Sequence, residues 1–205
     1  MLLTISNTAL AQGSDALAQE KSASEKITYT KNGYTYIEDS EGITVLLPQP
    51  KSSNNNMITP FEVGGNELYV KNKTLSSQDV DYNSLISGSV ASGCAPQTIS
   101  SSVSTAKTVT YTSTVSSSYG INAGVVNVNL GATYSVSVGQ TITATASSSW
   151  PLTSGCGRLE GYPLYYTYSA EVWEDDPIWD DYLGTISLKV LAGVHFKKVA
   201  VGVLS

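Results

Sequence analysis

One histidine, two cysteines and one dense run of carboxylates and aromatic rings are the side chains whose types could do chemistry in this sequence. His195 sits in Gly193-Val194-His195-Phe196-Lys197, an apolar strand-like pattern, and reads first as a histidine on the surface or satisfied within a sheet. Catalysis would need a constellation around it, a nucleophile or acid with an orienting partner. Neither a GxSxG elbow nor a glycine-rich phosphate loop opening a helix is present. No enzyme activity and no cofactor is expected. Cys94 and Cys156 are each preceded by Ser-Gly. Together with one distant histidine they make no ligand cluster, so no metal is expected. The pair reads as one disulfide in an exported chain, with two free thiols as the alternative. As a bridge it would close a loop of about 60 residues and contribute roughly 4 kcal/mol through the entropy of the unfolded chain.

The acidic and aromatic run is Trp173-Glu174-Asp175-Asp176-Pro177-Ile178-Trp179-Asp180-Asp181-Tyr182. Rings beside carboxylates can stack on a sugar and accept its hydroxyl hydrogens. Trp173, Asp175, Asp176, Trp179 and Tyr182 are therefore the candidate residues for recognising a glycan or a lipid headgroup. Dense carboxylates also suit Ca²⁺, but the spacing is not that of an EF-hand loop. The plainer reading is an exposed acidic loop between strands, with the Trp rings packed on the body.

The elements that must carry these groups show a second pattern. Between Asp81 and Arg158 the only charged side chain is Lys107, although 14% of the whole chain is charged. The stretch is Ser, Thr, Asn and Gly alternating with Val, Tyr, Ile, Leu and Ala. On a first arm Val109, Tyr111, Val115, Tyr119 and Ile121 alternate with Thr110, Thr112, Thr114 and Ser116. On a second arm parity reverses: Val126, Val128, Leu130, Tyr134, Val136 and Val138 are apolar, and Asn127, Asn129, Thr133 and Ser135 polar. Strand side chains alternate with period two. A hairpin with Asn122-Ala123-Gly124-Val125 as its loop would pair Ile121 with Val126 and Val109 with Val138, keeping the apolar side chains on one face. A bulge near Gly124 in one long strand would reverse parity too; the Asn and Gly of the loop favour the hairpin. Each arm is about 13 residues, against the roughly 9–11 of a membrane-crossing strand. An apolar outer face and a polar lumen alternating with period two are what a membrane barrel requires. A half-buried strand of a β-sandwich alternates as well.

Length and charge bound the rest. The 205 residues make one domain, or a domain with a small appendage. A net charge of −6 disfavours nucleic acid as a partner, because phosphates are repelled. No apolar run approaches the ~18 residues of a membrane helix. Met1-Leu2-Leu3-Thr4-Ile5, followed by Ala9-Leu10-Ala11 and Ala16-Leu17-Ala18, looks like the tail of a secretion signal whose true start lies upstream, making residues 1–25 a removed or flexible leader and the protein extracellular.

Along the remaining chain, Ile27–Thr30 and Tyr34–Ile37 flank Lys31-Asn32-Gly33, a hairpin signal with a three-residue loop. A third strand, Ile43–Leu47, completes a small meander stopped by Pro48; residues 48–60 read as a linker. Phe61–Val70 can form a strand pair around Gly64-Gly65-Asn66. Leu164–Trp173, Thr185–Leu191 and Val194–Val201 read as separate short strands divided by the acidic turn, Gly184 and Gly193. Thirteen Tyr and 17 Gly among many Val and Thr complete an all-β expectation: one domain over residues 26–205, an elongated antiparallel sheet or sandwich with a long amphipathic Ser/Thr-rich hairpin.

The charge-free alternation of residues 98–150 resembles that of the aerolysin-type β-pore-forming proteins, including the epsilon-toxin/Mtx2 group. The resemblance implies a hairpin that folds against the body in the soluble form and becomes the barrel wall in a homo-oligomer on a membrane. The lipid face would then be Val109, Tyr111, Val115, Tyr119, Ile121, Val126, Val128, Leu130, Tyr134, Val136 and Val138. The lumen would be lined by Thr110, Thr112, Thr114, Ser116, Asn127, Asn129, Thr133 and Ser135. Residues 157–165, Gly-Arg-Leu-Glu-Gly-Tyr-Pro-Leu-Tyr, are also similar to small secreted Gram-positive proteins of unknown function. The alternative to a pore is a secreted cell-surface β-sandwich that binds or supports without inserting.

Overall fold

The computed structural model describes residues 26–48, 61–63, 66–121, 138–175 and 179–201. The expected leader and most of the expected linker lie outside them. Tyr, Thr, Val and Ile fit the pleated, half-buried surface of a strand, and the protein is all-β. The strands are β1 Ile27–Lys31, β2 Tyr34–Glu38, β3 Gly42–Leu46, β4 Phe61–Val63, β5 Asn66–Val80, β6 Ala91–Cys94, β7 Gln97–Thr108, β8 Thr110–Ser113, β9 Thr141–Leu152, β10 Cys156–Asp175 and β11 Asp181–Val201. A 3-10 turn at Ser117–Tyr119 is the only helical element among the described residues.

Two strands form the spine. β10 has 20 residues and β11 has 21, paired antiparallel from Cys156↔Val201 to Glu174↔Asp181. At ~3.3 Å per residue each spans roughly 65 Å. The large sheet runs β1-β2-β3-β11-β10-β5-β4, with β6 added beside β10 and β8 beside β11. The exposed edge of β11 is thus shared: β3 covers Gly193–Lys197 and β8 covers Ile186–Lys189. β7 and β9 form a separate two-stranded ribbon, paired without a break from Gln97↔Leu152 to Thr108↔Thr141.

Gly184 and Gly193 do not divide strands, contrary to the expectation. The β10–β11 register slips between Leu164 and Tyr165, opposite Gly193, and between Val172 and Trp173, opposite Gly184. Each slip is a bulge that bends the long ribbon without ending it. Gly193 is also required sterically, because a Cβ there would stand 2.2 Å from the Val45 carbonyl oxygen on β3. The first hairpin differs in a smaller way. Lys31 pairs with Tyr34, leaving a two-residue loop, Asn32-Gly33, in which both residues have positive φ (53° and 80°). That is the type I′ turn whose twist matches paired strands, and Asn-Gly is its preferred sequence.

The ribbon packs on the large sheet as a second layer. Ile99 and Val103 of β7 and Ala144, Ala146 and Leu152 of β9 meet Ile43, Val45, Leu159, Val194 and Phe196 of the sheet in the first core. Phe196, Val194 and Leu159 are completely buried, each contributing roughly 1.5–3 kcal/mol. A second core, farther along β10 and β11, holds Val70, Ala170, Val172, Ile186, Leu188 and Val190 with Val109 and Val115. Cys94 and Cys156 face each other across β6 and β10 and are bonded, as the sequence predicts. The bridge closes a separation of 62 residues and ties the end of β6 to the start of β10.

Candidate membrane-inserting segment and recognition surface

Period-two alternation gives the ribbon two distinct faces. Facing inward are the cross-strand pairs Ile99/Trp150, Ser101/Ser148, Val103/Ala146, Thr105/Ala144 and Lys107/Ile142. Facing outward are Ser100/Ser149, Ser102/Ser147, Ser104/Thr145, Ala106/Thr143 and Thr108/Thr141, all exposed and uncharged. Lys107, the lone cation, is half-buried at the inner face. The Asp81 carboxylate is held below the usual range by the Ser84 hydroxyl and the Asn83 amide, with smaller help from the Lys189 and Lys107 ammoniums.

The chain leaves the ribbon at Val109. The Val109 N–H donates to the Gln140 carbonyl (2.8 Å), and the Gly139 N–H donates to the Val109 carbonyl (3.0 Å). Two residues therefore oppose one, and Gly139 has φ +81°. This is the bond pattern of a G1 bulge, in which glycine supplies the left-handed backbone. Beyond the bulge β8 turns away and adds to the edge of β11, in the register Thr110↔Lys189, Tyr111↔Leu188, Thr112↔Ser187 and Ser113↔Ile186. The expected Val109–Val138 pairing is thus replaced by Val109 against Gly139 and Gln140. The first arm is not one long strand either: β8 ends at Ser113, and the 3-10 turn follows, capped by the Ser116 hydroxyl accepting from the Ser118 N–H (3.3 Å).

The two faces read from the sequence separate here. Val109 (2% exposed) and Val115 are buried in the second core, and Tyr111, Tyr119, Ile121 and Val138 pack against it, half-exposed. Thr110, Thr112, Thr114 and Ser116 are exposed. The polar side chains also fasten the segment. The Thr112 hydroxyl lies 2.6 Å from that of Ser187, and the Thr185 N–H donates to the Thr114 hydroxyl at 2.8 Å. At ~1 kcal/mol per hydrogen bond and ~1.5–3 kcal/mol per buried Val, lifting β8 off β11 would cost on the order of 5–10 kcal/mol. Val126, Asn127, Val128, Asn129, Leu130, Thr133, Tyr134, Ser135 and Val136 lie outside the described residues.

At the far end of the spine, Trp173 and Tyr182 oppose each other across β10 and β11, with ring centroids 5.3 Å apart. The Trp173 indole N–H donates to Glu171 (2.9 Å). Trp179 is 78% exposed and Asp175 is exposed; Asp176 lies outside the described residues. Sequence reading missed the partners that order this end. Tyr69 and Lys71 of β5 both donate to the Asp180 carboxylate, and the Lys71 ammonium sits 4.7 Å and 4.8 Å from the centroids of the Tyr69 and Trp173 rings. The Tyr69 hydroxyl and Lys71 together hold the Asp180 carboxyl below its usual range. The period-two spacing of Tyr69 and Lys71 was a usable signal for one shared face, but not for which carboxylate they would meet.

His195 lies on β11 opposite Thr44, whose hydroxyl is 2.9 Å from its Nδ1. Its Nε2 is buried without a hydrogen-bond partner. Burial lowers its pKa from 6.5, with Lys197 lowering it further and Asp39 and Glu41 opposing. Among the described residues, no group of three or more His, Cys, Asp and Glu side chains is placed to hold a metal ion. No helix among them is long and apolar enough to cross a membrane, which leaves strand-built spans open. No protein-family model matches the chain, and no curated protein matches it in sequence.

Proposed function

We propose that this protein is an exported, aerolysin-like β-pore-forming protein. It is stored soluble, docks on a lipid or glycan surface through the Trp173–Tyr182 end, and oligomerises. It then releases residues 108–138 from the body as one transmembrane hairpin per protomer. The observation that carries the reading is the placement of β8. Its apolar face is covered by the second core while its uncharged polar face is exposed, and it hangs from the ribbon at a single glycine bulge.

Continuity of the ribbon supports the same reading. Even-numbered residues of β7 (Ser100, Ser102, Ser104, Thr108) and of β8 (Thr110, Thr112) form one uncharged polar series interrupted only by Ala106. If the Thr108↔Thr141 register continued through a straightened Gly139, that series would run on as the lumen face through Thr114 and Ser116, with Asn127, Asn129, Thr133 and Ser135 on the other arm. Crossing hydrocarbon without charge avoids roughly 2.5–3.5 kcal/mol per charged residue on insertion scales. An uncharged lumen would give weak ion selectivity.

The test is dye release from liposomes and target cells, with Val128→Asp as the insertion-dead control. Release with an SDS-resistant oligomer is expected. No release across several lipid compositions, together with no such oligomer, would sink the reading. A permanent surface module is the second reading, favoured by the depth to which Val109 is buried. Amide exchange separates the two. Residues 110–113 exchanging well before β10 and β11 indicate a releasable segment, and equal protection indicates a permanent core.

A further inference from the structure

We infer that the cleft between the β1–β2 hairpin and the Ser-rich middle of the ribbon is a saccharide-binding site. It has a volume of about 420 Å³ and is lined by Tyr29, Lys31 and Tyr36 on one side and by Ser100–Ser102 and Ser147–Ser149 on the other. That volume falls within the range of small-ligand sites. A second, smaller cleft of about 210 Å³ shares Tyr36, Ser102 and Ser147 with it and adds Asn32 and Tyr34. The two form one groove.

Three independent observations specify the chemistry. The first is the wall: Tyr29 and Tyr36 stack nearly parallel, with centroids 5.0 Å apart and planes 4° apart, and Tyr29 remains 41% exposed. A flat aromatic surface presents a negative π face, which attracts the polarised C–H groups of a pyranose ring. The second is the floor, the Ser-rich middle of both ribbon strands, with no carboxylate among the lining residues. The third is an unmet demand. Ser101 and Ser148 oppose each other across the ribbon and both are buried. The Ser101 hydroxyl donates to the Ser89 carbonyl at 2.7 Å, whereas the Ser148 hydroxyl, on a residue only 9% exposed, has no partner. Buried hydroxyls are nearly always hydrogen-bonded, so an orphan at the floor of a cleft points to a polar ligand group that completes it.

The ligand class that meets all three is a short, neutral saccharide, one ring face on Tyr29 and a hydroxyl on Ser148. Lys31, the one charged lining residue, sits at the rim and adds a donor for a ring or carbonyl oxygen. The site does not depend on the pore reading, because it is complete in the soluble monomer and involves neither β8 nor the Trp173–Tyr182 end.

The experiment is ¹H–¹⁵N shift mapping of the purified monomer against glucose, galactose, N-acetylglucosamine and lactose, with inorganic phosphate as a separate arm. At least one sugar is expected to give saturable shifts confined to residues 29–36, 100–102 and 147–149. Tyr29→Ala, at an exposed position that leaves the core intact, should weaken that binding by about tenfold or more. Ser148→Ala should weaken it as well, while Ser104→Ala, on the outer face away from the cleft, should not. Three results would each overturn the proposal: no saturable shifts with any sugar, shifts centred on Trp173 and Tyr182 instead, or shifts in the cleft from phosphate alone. Dye release bears on the pore and not on this site, so the two can fail separately.

Discussion

Val109 is bonded to both residues of one glycine bulge: its N–H reaches the Gln140 carbonyl at 2.8 Å and its carbonyl accepts the Gly139 N–H at 3.0 Å. On one side of this residue the chain belongs to the ribbon. On the other side it belongs to the edge of β11, twelve ribbon residues having run without a register change before it. On the proposed function, the step from storage to insertion would act at this joint, because it is where the two sheets exchange the strand.

Pinning β8 should block release. Thr112 and Ser187 are cross-strand neighbours with their hydroxyls 2.6 Å apart, so paired cysteines there meet the geometry a disulfide needs. The oxidised Thr112→Cys/Ser187→Cys protein is expected to lose liposome dye release while gaining thermal stability, and mild reduction should restore release. The parent protein under the same reductant controls for the native bridge. Undiminished release from the fully oxidised double variant would show that β8 stays on β11.

Reducing Cys94–Cys156 should weaken the fold. The bridge closes 62 residues of chain, and chain-entropy reasoning gives about 4 kcal/mol for a loop of that size. Urea unfolding with and without reductant measures the difference. β6 and the first residues of β7 should lose amide protection first, since the bridge anchors them to β10.

Gly193→Ala should break the meander away from the spine. The added methyl would meet the Val45 carbonyl oxygen at 2.2 Å and the Leu46 Cα at 3.1 Å, both backbone atoms that cannot rotate aside. Overpacking of this kind costs about 1–3 kcal/mol or more. The loss should appear as a lower urea midpoint and as faster amide exchange at Gly42–Leu46, the strand paired with Gly193–Lys197.

Stability should fall as pH drops below about 6.5. His195 is buried and its pKa is lowered from 6.5, first by desolvation and then by Lys197, with Asp39 and Glu41 acting the other way. Around the ring stand Thr44 on β3, Tyr82 edge-on at 5.8 Å and the Asp39–Glu41 turn. A base with a depressed folded pKa binds its proton more readily in the unfolded chain. Above 6.5 both states are neutral and nothing is lost; below it the unfolded state gains protons first, and stability declines until the folded pKa is reached. Urea midpoints between pH 7.5 and 5.5 should therefore slope downward for the parent protein and less steeply for His195→Gln. Equal slopes would assign the acid sensitivity to other groups.

Much of this protein is legible in the chain itself, where the signal is local. Asn32-Gly33 specifies its own I′ turn, because only residues tolerant of positive φ fit there. Alternation from Val109 to Ser116 specifies which side chains are covered and which are exposed, because period two is a property of any strand whatever its partner. The matching flanks of Cys94 and Cys156 were enough to pair them. What failed was parity where the side chains carry none. Ser100-Ser101-Ser102 and Ser147-Ser148-Ser149 place the same residue on both faces, so the β7–β9 register and the cleft it floors could not be read.

Partner choice was likewise invisible. Val109 and Val115 need an apolar surface, but nothing local says that it is Ile186 and Leu188 on β11 instead of the other arm of a hairpin. Gly184 and Gly193 look like strand breaks in isolation and become bulges only because β10 runs unbroken beside them. Lys71 and Asp180 are brought together only by the pairing of β10 with β5 on one side and with β11 on the other. Composition and alternation are short-range properties of the chain, and they determined the strands and their faces. Which edges those strands share depends on the closing of long loops around a common core, and that was decided by the tertiary structure alone.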